Sequence, residues 1–167
     1  MFNIYYMIKR WSTFNENTNI SKEFISSKFF EVREVFLDFE DMGIISYSMV
    51  LPGFERGGYI SFDPKVGDVN RFLDFQLPTL NLTFSKRNLG VLTSDKLDKV
   101  CIIVDIKLPG EPNEFGSTII GNEGIRLFDD MLTANSRLIE AGYDVKLDLN
   151  ASHAKYKPVK FLIYFDL

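Results

Sequence analysis

One cysteine and one histidine are all that the 167 residues offer of the two side chains most used for metal centres and nucleophilic sites. A zinc site takes four such ligands when closed, or three protein ligands and a water when catalytic, so neither kind can be assembled here. The lone Cys101 lies in the apolar run 100–106, can close no disulfide within the chain, and is expected to pack as a small hydrophobe in a reducing compartment. Long apolar runs are also missing: no stretch approaches the roughly 18 residues of a spanning helix. The apolar segment 2–8 has no basic residues ahead of it and is followed by Lys9 and Arg10 rather than a small-residue cleavage site, so it does not read as a secretory signal. Positive charge is in deficit, with a net charge of −4, which argues against whole-surface attraction to nucleic acid or to an anionic membrane. These absences lead to the expectation of a soluble cytoplasmic protein with no cofactor, no metal and no membrane partner.

What is present is a local pattern that occurs twice. An amphipathic helix ends at Gly43 and another at Gly142, and each is followed at once by a strand. In 21–42 the residues Phe24, Ile25, Phe29, Val32, Val35, Phe36, Phe39 and Met42 recur at three- and four-residue steps, which predicts one broad apolar stripe. Segment 44–51 then alternates as a strand, and 59–63 returns after a Gly-rich turn. In the second half a strand over 100–108 leads through a Gly- and Pro-rich loop to a helix over 124–141, a strand over 143–149 and a very apolar strand over 159–167. Counted back from each glycine, steps 4, 7, 11 and 14 should face inward, which matches Phe39 with Leu138, Phe36 with Asn135, Val32 with Met131 and Phe29 with Phe128. Between the halves, Leu80, Leu82 and Phe84 alternate before Lys86, Arg87 and Asn88, which predicts a central hairpin; 69–77 fits either a strand or a short helix.

The expected fold is therefore α+β: a single domain with two similar strand-helix-strand-strand halves, about 1–63 and 99–167, joined by a hairpin-bearing segment, 64–98. Two amphipathic helices should cover a mainly antiparallel sheet. In element order alone this resembles the tandem βαβββ arrangement of the vicinal-oxygen-chelate group. That group carries His and Glu metal ligands on its strands, and the strands here contain no His, so the resemblance implies no metal and no activity.

The candidate sites follow from residues that break these patterns. Gly116, Gly121 and Gly124 precede a helix where a phosphate loop would sit, but Asn122 and Glu123 stand where Lys and Ser or Thr are needed. His153 has Ser152 and Asp148 nearby in sequence, yet a catalytic triad is defined by spatial roles, and a loop Ser adjacent to its His cannot readily face it. The acidic pairs Glu40-Asp41 and Asp129-Asp130 read as helix surface. Asn135 interrupts an apolar stripe and Asp105 shares a strand face with Cys101 and Ile103; together they suggest a polar pocket between helix and sheet. Phe30 and Leu37, seven residues apart beside Arg33, form an apolar ridge suited to a protein partner. Lys86 and Arg87 at the hairpin tip suit a phosphate backbone.

No catalytic set emerges from these residues. The reading they favour is a non-enzymatic protein-interaction protein that binds a host or virion protein through Phe30, Leu37 and Arg33, or through an edge offered by the C-terminal strand. The 16 phenylalanines, with many Lys, Asn and Ile, match the composition of AT-rich genomes such as many phages carry, which makes a phage accessory, regulatory or virion component the natural setting. Two other classes remain as expectations: a nucleic-acid-binding modulator using Lys86 and Arg87, and a small-molecule enzyme with its pocket near Asn135 and Asp105.

Overall fold

The structure, a computed structural model, describes residues 20–52, 61–88, 99–107, 110–112, 118–120, 122–148 and 158–167. The expected strand at 2–8, the turn around Gly53, Gly57 and Gly58, Gly116, Gly121, the return strand near 91–93 and His153 lie outside the described residues.

Ser21 starts the first helix, α1 (Lys22–Val35): its hydroxyl accepts the Phe24 amide at 3.3 Å, meeting one of the amides that a helix start leaves without a partner. The helical path pauses at Phe36 and resumes as a single turn, α2 (Leu37–Asp41). Gly43 then takes φ +70°, a left-handed conformation open to glycine at little cost, and the chain enters β1 (Ile45–Val50). After an isolated bridge between Phe62 and Tyr47, the long α3 (Val66–Asn88) follows. Next come β2 (Lys99–Lys107), a short ribbon of β3 (Gly110–Pro112) with β4 (Thr118–Ile120), and α4 (Asn122–Glu140). Gly142, at φ +94°, turns the chain into β5 (Asp144–Asp148), and β6 (Pro158–Asp166) ends the fold.

The fold is α+β, and its main sheet is one antiparallel sheet of four strands in the order β1-β2-β6-β5. Register assigns the faces. Tyr47 sits opposite Val104, which sits opposite Phe161, and this row with its even-numbered neighbours on β2 carries the core. Val100, Ile102, Val104 and Ile106 are fully buried, as are Ile25, Phe29, Val32 and Phe36 from the first helical segment. The Phe36 ring meets Phe161 edge-on at 5.0 Å, and Phe29 meets Tyr47 at 5.6 Å. The segment α1 thus lies across the middle of the sheet, with α3 packed on one side of it and α4 on the other.

Three expectations change. The central hairpin is absent: residues 80–88 continue α3, in which Val69, Leu73, Leu77 and Leu80 line the buried side at helical steps. A five-residue alternation is too short to separate period 2 from period 3.6 when Leu73 and Leu77 before it already stand at helical steps from Leu80. The inward stripe of α4 keeps Met131 and Leu138 but takes Leu127 and Ala134 in place of Phe128 and Asn135, which are half-buried. Apolar residues occur there in adjacent pairs, 127 with 128, 131 with 132 and 138 with 139, so the sequence supports either stripe. The C-terminal strand offers no edge, because β6 lies between β2 and β5.

Candidate functional site

The densest polar constellation grows from the break at Phe36. Arg33, from the last turn of α1, and Glu40, from α2, are seven residues apart on the same helical side. Their side chains join in a two-pronged ion pair, with Arg33 Nε donating to Glu40 Oε2 at 2.9 Å and Arg33 Nη2 to Oε1 at 2.9 Å. The chain reversal at Gly43 brings Tyr47 back alongside, and its hydroxyl donates to Glu40 Oε2 at 3.1 Å. Burial first, and then the negative charge of Glu40, hold the Tyr47 phenol far above its ordinary ionisation range, so it stays a neutral donor.

Beside this triad lies a cavity of about 320 Å³ lined by Glu40, Ile45, Ser46, Tyr47, Ser61, Phe62, Asp63 and Pro64. Its aromatic wall is held in place from behind: the Phe62 ring stacks on Phe72 at 5.1 Å and leans on Phe29 at 5.4 Å. The Phe62 amide donates to the Tyr47 carbonyl at 3.1 Å, which pins the 61–64 segment along the outer side of β1. Asp63 is exposed and makes no ion pair or side-chain hydrogen bond among the described residues.

No family model, curated protein or solved structure matches this chain. Among the described residues no group of three or more His, Cys, Asp or Glu could hold a metal, and no helix is long and apolar enough to cross a membrane.

The sequence-derived candidates are scattered. Arg33 is committed to Glu40, and Phe30 packs edge-on against Phe29 at 5.3 Å, so of that ridge Leu37 is the member left in water, 42% exposed. Lys86 and Arg87 sit in the last turn of α3 rather than at a hairpin tip. Asn135 and Asp105 do not share a pocket. Asn135 is on α4, in the helical layer, whereas Asp105 faces the other side of the sheet in a row with Ser46, Lys160 and Asp148. There Asp105 Oδ1 is 3.7 Å from Lys160 Nζ and lacks a hydrogen bond, and burial raises its carboxyl above the usual aspartate range, with Lys160 only partly opposing this. Glu40, Tyr47, Phe62 and Asp63 were not selected by sequence reasoning. The one available signal was the opposite charge of Arg33 and Glu40 at two helical turns.

Proposed function

We propose that this protein is a non-catalytic interaction module that engages another protein through the flank of α4 that carries Leu132 and Ile139. The observation behind this reading is the state of that flank: Leu132 is 52% and Ile139 54% exposed, seven residues apart, with half-buried Phe128 and Asn135 in line between and beside them. The charged residues Asp130 and Arg137 fall on the other flank, and Asn135 is the one polar side chain in the line formed by 128, 132, 135 and 139. Exposed leucines and isoleucines singly are ordinary, but a row at helical spacing is the pattern by which a helix presents anchors to a groove. Covering the exposed halves of these two side chains is worth roughly 1 kcal/mol each, enough for them to act as anchors without being required for folding. Leu37 and Met42, 42% and 49% exposed, are a second, smaller apolar patch around the α2 turn.

Photo-crosslinking in the source cells provides the test, with the reactive group placed at 132, at 139 or, as a control, at 137. Adducts to a common protein from the first two positions and not from the third are expected. The double variant Leu132→Asp, Ile139→Asp should fold with its melting temperature within a few degrees of the parent and lose that adduct when probed from a neighbouring position. Capture of the same proteins by the double variant would remove α4 from the proposal.

A further inference from the structure

The cavity at the outer side of β1 combines features that the interaction reading does not use, and it lies at the opposite edge of the sheet from α4. We infer that it is a binding site for an organic cation, an alkylammonium or guanidinium group. The balance of charge around it carries the inference. The carboxylate of Glu40 is already matched by Arg33, through the 2.9 Å contacts at both of its oxygens, and it also accepts the Tyr47 hydroxyl at 3.1 Å. The pair is close to neutral as a unit. Asp63 has no such match among the described residues, so of the two carboxylates lining the cavity it is the one left to meet a cation. Tyr47, Phe62 and Ser61 line the cavity beside it, adding aromatic surface of the kind that attracts cations and a hydroxyl that can accept from an N–H group.

Size and rigidity agree with this ligand class. A volume of about 320 Å³ is at the small end of ligand sites and takes one side chain or a small amine rather than a nucleotide. Phe62 is fixed by Phe72 and Phe29, and Tyr47 by Glu40 and the sheet, so the site exists before the ligand arrives. An anion is disfavoured by Asp63, and a purely apolar ligand would leave that carboxylate desolvated without a partner.

The same chemistry can come from a free polyamine-like metabolite or from an Arg or Lys side chain of a bound protein. Titration of the whole chain, followed by amide and aromatic NMR shifts, tests the inference with agmatine, with the capped peptide Gly-Arg-Gly, and with N-butylurea as a neutral probe of similar size. Shifts centred on Tyr47, Phe62 and Ser61 are expected with both cations, and binding that weakens as salt rises. Asp63→Asn should weaken binding about threefold to fivefold, and Asp63→Glu should restore most of it. Tighter binding of the peptide assigns the site to a protein side chain, and tighter binding of agmatine assigns it to a free amine. Equal binding of N-butylurea, or no shift with either cation in the folded protein, overturns the inference.

Discussion

Asp105 is the residue whose environment fits its charge least. It sits on β2 facing away from the helices, with Ser46 across on β1 and Lys160 across on β6, whose other neighbour is Asp148 of β5. Burial raises its carboxyl, and the 3.7 Å approach of Lys160 compensates only in part. An acid whose folded pKa exceeds its unfolded value binds more protons in the folded state, so its contribution is complete below the ordinary aspartate range and is lost as pH rises through the raised value. Asp105→Asn removes that titration. The expected result is a variant that gains on the parent between acidic and neutral pH, read as the difference in urea midpoints across the window that begins at the ordinary aspartate pKa. A difference independent of pH would mean that Asp105 is as well solvated folded as unfolded. By contrast Arg33, chosen from sequence as a partner-binding cation, has its fork filled by Glu40 within its own chain. Its pairing was not legible because Glu40 read as half of a surface acidic pair.

At the level of elements, two glycines and one proline set the outline. Gly43 and Gly142 adopt φ +70° and +94°, and at each the space that a Cβ would enter is open. Substitution by alanine is therefore opposed by backbone strain alone, and Gly43→Ala and Gly142→Ala should each cost about 1–2 kcal/mol in denaturant unfolding. Pro78 is the opposite case. It stands inside α3, where its ring removes one helical hydrogen bond and crowds the carbonyl four residues earlier, that of Asp74. Pro78→Ala should raise stability by roughly 1–3 kcal/mol, measured in the same way. These elements also mark how far the sequence could be read. Both glycine stops, the strands that follow them and β2 and β6 were legible because they rest on local rules of capping and alternation. The helix α3 was not, since Leu80, Leu82 and Phe84 satisfy two periodicities and only contact with α1 decides between them. The cation cavity was still less legible: Tyr47 and Phe62 become neighbours through a bridge that no local pattern encodes.

Across the whole molecule the layers are unequal. β2 and β6 are bonded on both sides, and their helix-facing residues, Val100 to Ile106 on one and Val159 to Phe165 on the other, are almost fully excluded from water. β1 is flanked by β2 and, at one residue, by the Phe62 bridge; β5 has β6 on one side and no strand on the other among the described residues. Its exposed Asp144 and Lys146 are the charges with which edge strands discourage unwanted pairing. Native-state hydrogen exchange should follow this order. Amides of β2 and β6 are expected to exchange only by global unfolding, with opening free energies equal to that from denaturant titration. The β5 amides directed away from β6 should exchange about 100-fold faster or more, and those of β1 should fall between. Uniform protection across all four strands would show that β5 has a further neighbour and that the sheet does not end there.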